Sequence, residues 1–194
     1  MGKIPVRKVA GVLNVLVLAA LVCNVIALYL VPTAVLLGGE GLLEGIEDYL
    51  SGIFYPGPDD IVIARVFASA AAWTFIWTGA YNTVLTLFLT VSGCCTAAIL
   101  WQARQVLKAI LRGEPFAPSN AVSLRRAAVF CFLIAGAALA RVVFSVCCFQ
   151  SLRPLATYNA LFVPMFAMGG LLCLVMSALF RQASELKAEN DLTI

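Results

Sequence analysis

Histidine is absent from this 194-residue chain, which removes the commonest general base and the commonest metal-binding imidazole together. Charge is scarce as well. Only 12% of residues are charged while 62% are hydrophobic, whereas an ordinary soluble domain has about 25% and 45–50%. A water-soluble fold of this size cannot bury so much apolar surface. The long apolar runs contain no carboxylate, and proton- or ion-coupled transporters generally need an intramembrane acid. Nor is there a glycine-rich phosphate loop, a nucleophile with a recognisable base, or a pair of carboxylates at membrane depth, so no enzyme chemistry is expected.

Cysteine is missing from every polar segment. Cys23, Cys94, Cys95, Cys131, Cys147, Cys148 and Cys173 all lie inside apolar runs, so there is no secretory disulfide framework. The adjacent pairs Cys94-Cys95 and Cys147-Cys148 point about 100° apart on a helix, and no histidine completes a mixed nitrogen–sulfur site. They read as small packing residues, and neither metal nor cofactor is expected.

What is present is a set of long hydrophobic stretches. A bilayer core about 30 Å thick needs around 20 mostly apolar residues per helix. Four runs qualify: Val9 to Val31, ended by Pro32; Asn82 to Trp101; Ala127 to Phe149; and Thr157 to Phe180. The first exceeds a signal-peptide core of about 7–15 residues and is expected to stay as an anchor. The fold class is all-α integral membrane protein, a four-transmembrane-helix bundle forming a single membrane domain over 1–194.

Basic residues set the orientation. Lys3, Arg7 and Lys8 precede the first span, Arg104, Lys108, Arg112, Arg125 and Arg126 fill the loop 102–126, and Arg181 and Lys187 follow the last span. The opposite side has only Arg65 and Arg153. Cytoplasmic loops carry the excess of Lys and Arg, so both termini and the 102–126 loop are expected in the cytoplasm. The apolar stretch Ile61 to Thr78 then cannot be a separate crossing. It reads as an external or interfacial helix leading into the second span, with Trp73 and Trp77 at headgroup depth.

The external segment, 38–78, opens with an acidic part, Gly38 to Asp60, holding Glu40, Glu44, Glu47, Asp48, Asp59 and Asp60 without Lys or Arg. It lacks the spacing of an ordered calcium loop. One reading is a receptor patch for a cationic peptide or divalent metal; the plainer one is a solvated loop depleted of basic residues. Inside the spans, small residues recur at helical spacing: Thr83, Thr86, Thr90, Gly93 and Ala97; Ala128, Cys131, Ala135 and Ala138; Gly169, Cys173 and Ser177. Helices in lipid associate through such close-packing faces. Pro164 is expected to kink the last span. Arg141 is the one charge well inside a span, about eight residues or 12 Å from its outer end. It reads either as a snorkelling anchor or as a substrate contact.

The second span runs on into an amphipathic stretch, Gln102 to Arg112, closed by Gly113 as a helix cap. Glu114-Pro115-Phe116-Ala117-Pro118 makes a stiff turn, and Ser119 or Asn120 is expected to cap the next helix. The basic residues here suit anionic lipid, but anchoring alone explains them, and no direct nucleic-acid contact is expected. After the fourth span, Arg181/Glu185 and Lys187/Asp191 at i,i+4 spacing continue the helix, with Asn190-Asp191 expected to break it. Leu192 and Ile194 are left as apolar side chains on a polar tail, suited to docking in a groove or to fraying freely.

The stretch Ile110-Leu111-Arg112-Gly113-Glu114-Pro115-Phe116, paired with the tail Glu185-Leu186-Lys187-Ala188-Glu189-Asn190-Asp191-Leu192-Thr193-Ile194, resembles a family of small bacterial four-span membrane proteins. That family is catalogued as domain of unknown function two-nine-seven-five. The resemblance covers spans two to four and the tail; the acidic segment and the apolar run to Thr78 look extended relative to the usual pattern. Members are often encoded beside a very small helix-turn-helix regulator. The resemblance therefore implies a non-enzymatic accessory or sensor protein in a bacterial plasma membrane that binds such a regulator through Gly113, Pro115 and Phe116 together with Glu189, Asn190, Asp191, Leu192, Thr193 and Ile194. The alternative is a transport or immunity protein handling an amphipathic compound or cationic peptide at the outer face. A homo-oligomer is compatible with either.

Overall fold

The computed structural model describes residues 6–38, 49, 51–53, 55, 62–150 and 158–191. The acidic segment therefore lies almost wholly outside the described residues, as do 151–157 and Leu192, Thr193 and Ile194. The elements are α1 (Val6–Gly38), α2 (Val62–Phe75) with a 3-10 turn at Ile76–Thr78, α3 (Ala80–Arg112), α4 (Pro118–Phe149) and α5 (Tyr158–Asp191). Among the described residues there is no strand. Four helices, α1, α3, α4 and α5, are long and apolar enough to cross a membrane. The 14 residues of α2 rise only about 21 Å at 1.5 Å per residue, short of the hydrocarbon thickness.

Two helix ends differ from expectation. α1 runs through Pro32 to Gly38 instead of stopping before it. A proline ring removes one backbone hydrogen bond, but that loss is tolerated in membrane helices where neighbours cover the site, and Pro32 is fully buried. α5 likewise runs through Asn190 to Asp191 without breaking there. Asn and Asp cost only a few tenths of a kcal/mol more than average in a helix, less than a formed helix gains by adding residues.

The chain divides into two compact units, Met1–Asn24 with Cys94–Ile194, and Val25–Gly93. The first is organised around α4. In its apolar window 39% of residues are buried, against 6% in that of α5, so α4 supplies the core. Its buried residues Ala121, Ala128, Cys131, Ala135, Ala138 and Val142 follow at intervals of seven, three, four, three and four positions, one continuous stripe on a 3.6-residue helix, which Ala127 and Ile134 widen. The stripe includes all four small residues expected there. Across it, Ser177 Oγ donates to the Ala121 carbonyl at 2.7 Å, and the Phe132 ring lies so close to Gly170 that an added Cβ would sit 3.0 Å from it. Residues early in α4 thus meet residues late in α5, which makes the pair antiparallel. The sequence placed Gly169 in this contact, but it is Gly170 that is buried; a Cβ at Gly169 meets nothing within 4 Å.

In the second unit, α2 is fastened by two tyrosines. Tyr29 Oη donates to the Val66 carbonyl at 2.9 Å and Tyr49 Oη to the Arg65 carbonyl at 2.6 Å. The Arg65 guanidinium packs over Gly52, where any Cβ would collide with it. Leu28 fills the space above Gly93, and a Cβ there would fall 2.6 Å from its Cδ2. Both glycines serve close approach by removing a side chain, the usual role of small residues at helix contacts in lipid.

Candidate functional site

Chemistry-bearing groups do not converge among the described residues. Among the described residues no group of three or more Cys, Asp or Glu side chains is placed to hold a metal ion, and all seven cysteines are free thiols. Arg141 is half-buried midway along the C-terminal half of α4. The structured feature with exposed, recognisable chemistry is the α3–α4 turn together with the end of α5.

The turn is built by backbone rules. Gly113 adopts φ +87°, a left-handed conformation open to glycine at little cost. The Glu114 N–H then reaches the Ala109 carbonyl at 3.0 Å and the Gly113 N–H reaches the Ile110 carbonyl at 3.1 Å. This paired closure satisfies two carbonyls that would otherwise be orphaned at a helix end, and it confirms Gly113 as the cap of α3. Pro118 begins α4, its fixed φ already helical and its missing N–H no loss at that position.

The start of α4 corrects the sequence reading. Its N-cap is Ala117, with no side-chain cap, so neither Ser119 nor Asn120 caps it. Asn120 instead turns back into the loop. It is 1% exposed, and its Nδ2 donates to the Pro115 carbonyl at 2.9 Å, tying the turn to the first turn of α4. Nearby, Ser123 Oγ donates to Gln105 Oε1 at 3.2 Å, joining α4 to the last part of α3.

Phe116 sits at the tip of this latch. Its ring meets Phe180 with centroids 6.3 Å apart and planes at 42°, within the favourable range for tilted aromatic pairs, yet it stays 47% exposed. Past Phe180, α5 continues as an exposed helix in which Arg181 Nε pairs with Glu185 at 2.9 Å, the i,i+4 pair expected. Leu186 on this extension is 66% exposed, and Lys187 and Glu189 are exposed as well.

Gly113, Pro115 and Phe116 are therefore brought to the same end of the α4–α5 pair as the helix that carries Glu189, Asn190 and Asp191. For Asn190 and Asp191 the backbone is helical and the side chains lie outside the description, as do Leu192, Thr193 and Ile194 altogether. Sequence reasoning missed Phe180 and gave Asn120 the role of a cap. The antiparallel register that pairs Ala121 with Ser177 also pairs Phe116 with Phe180, a signal available once the two helices are taken as neighbours. For Asn120 no sequence signal distinguishes a backward latch from an ordinary cap.

Comparison with known families is consistent with this picture. A family model described as Protein of unknown function (DUF2975) matches residues 51–194. The match begins before α2 and so takes in more of the chain than the two motifs on either side of spans three and four. The chain matches no curated protein and no solved structure.

Proposed function

The chain belongs to the DUF2975 family, and from that premise we propose that it is a non-enzymatic membrane accessory or sensor protein whose α3–α4 turn and α5 extension together dock a small helix-turn-helix regulator at the cytoplasmic face of a bacterial plasma membrane. The observation that carries this reading is the Phe116–Phe180 contact. It makes one surface of two segments that are more than sixty residues apart in the chain.

Several features support it. Phe116 and Leu186 are exposed apolar side chains, the first in the turn between two candidate spans and the second near the charged end of the last one. Fully burying two such groups stabilises by about 3–6 kcal/mol, from which ordering and association costs subtract, leaving a weak contact that a signal can reverse. Arg112, Arg125, Arg126 and Lys187 are exposed on the segments that carry it, and an excess of positive charge there steers and orients an acidic partner surface. Glu189, Asn190 and Asp191 close the same helix, and we propose that Leu192, Thr193 and Ile194, which follow them in the chain, take part in the same contact, Leu192 and Ile194 through their apolar side chains.

The test is fractionation of a co-encoded helix-turn-helix regulator in cells carrying Phe116→Ala with Leu186→Ala. Both side chains are largely exposed, so the double variant is expected to insert at normal levels while the regulator shifts from membrane to soluble fraction. An unchanged distribution with normal levels of the variant would eliminate this surface as the docking site.

A further inference from the structure

The α2 helix is too short to span a bilayer, yet nearly all of its surface is apolar. Between residues 62 and 78 Arg65 is the only charged residue. Its buried stripe is narrow, Ser69 and Ala72 with Ile76 of the following turn, whereas Ile63, Val66, Phe67, Phe75 and Trp77 are exposed, Phe67 at 70%. An amphipathic helix at the surface of a soluble protein sets polar residues opposite its buried stripe. This helix sets hydrocarbon there.

The polar side-chain groups on its exposed side fit the same surroundings. Thr74 is exposed, yet its hydroxyl donates to the Ala71 carbonyl at 2.7 Å, and the exposed Trp77 donates its indole N–H to the Trp73 carbonyl at 2.9 Å. Both donors bond to the backbone of their own segment. Such closure also occurs in water, and it is what hydrocarbon requires, because an unsatisfied donor there has no alternative partner.

We infer that the outward face of α2 is an interaction surface for lipid, with Ile63, Phe67 and Phe75 immersed among acyl chains and Trp73 and Trp77 at the headgroup boundary. The helix leads directly through its 3-10 turn and Gly79 into the membrane-spanning α3, so it starts from the edge of the bilayer. Its tyrosine fastenings to α1 and to residue 49 hold the stripe of Ser69, Ala72 and Ile76 against protein and leave the opposite face for lipid. This inference does not rest on the proposed regulator docking and stands or falls independently of it.

Tryptophan fluorescence tests this. The chain has three tryptophans, and Trp101→Phe leaves Trp73 and Trp77 as the reporters. The variant is reconstituted in liposomes whose phosphatidylcholine carries bromines either high or deep on the acyl chain. Interfacial helices sit about 5–10 Å into the headgroup–acyl boundary, so the high-bromine lipid is expected to remove roughly half the emission and the deep-bromine lipid less, while aqueous iodide quenches weakly. Strong iodide quenching without bromine quenching would overturn the inference by placing the helix in water. Resistance to both quenchers would overturn it equally, since protein, from a second copy or a partner, would then cover the face.

Discussion

Replacing Asn120 with alanine isolates the latch on which the docking surface depends. The side chain is fully buried, and its amide donates to the Pro115 carbonyl at 2.9 Å. Removing it deletes a hydrogen bond worth about 0.5–1.5 kcal/mol and leaves the half-buried Pro115 carbonyl without this donor, a loss of up to about 1–3 kcal/mol. Water entering the vacated space recovers part of that, so about 2 kcal/mol is a fair expectation. The loss falls on the turn, because the α4–α5 interface lies further along α4. Local opening should therefore become about 30-fold more frequent, at 1.4 kcal/mol per factor of ten. Amide hydrogen exchange reads it directly. The Gly113, Glu114 and Ala117 amides, which now bond within the turn, should exchange up to about 30-fold faster, while amides around Ala135 and Ala138 keep their protection. Asn120→Asp should be worse, since it sets a carboxylate oxygen against a carbonyl oxygen in a buried position. Unchanged exchange in the turn of Asn120→Ala would refute the latch, and faster exchange throughout α4 would show that Asn120 serves general packing instead.

Two further substitutions probe the α4–α5 contact. Gly170→Val forces branched carbon into the Phe132 ring and should destabilise the pair by about 1–3 kcal/mol, as overpacking does; in denaturant titrations of the protein in detergent, Phe132→Ala in the same chain should recover part of that loss, whereas strictly additive effects would show that the two do not meet. Ser177→Ala removes the 2.7 Å bond to the Ala121 carbonyl and should cost only about 0.6 kcal/mol, the usual scale of interhelical hydrogen bonds in membranes; a loss above about 2 kcal/mol in the same titration would mean that the bond anchors the helix pair.

The long helices were readable from sequence because a bilayer imposes the simplest of patterns: enough apolar residues in a row, with no polar backbone left over. The stripe Ala128, Cys131, Ala135, Ala138 followed from the same logic, since small residues mark where helices touch. Helix ends were harder. Pro32 looks like a stop in the sequence, yet burial makes its lost hydrogen bond tolerable, and Gly169 and Gly170 are chemically identical neighbours that only the facing Phe132 tells apart. At the docking end, Gly113 was recognisable because a left-handed cap is a local requirement. Phe180 was not, because its role depends on a partner more than sixty residues away, and Asn120 was misplaced because a cap and a backward latch use the same residue type at nearly the same position.

The account rests on the α3–α4 turn and the α5 extension sharing the cytoplasmic face, and cysteine accessibility in intact cells measures that directly. In a background cleared of native cysteines, single cysteines replace Ser51, Ser119 and Ser184 in turn and meet a membrane-impermeant maleimide. Ser119→Cys and Ser184→Cys should label only after the membrane is opened, whereas Ser51→Cys should label from outside without opening. Labelling of Ser119→Cys or Ser184→Cys from outside would place that part of the surface where no cytoplasmic regulator reaches it, and would contradict the account.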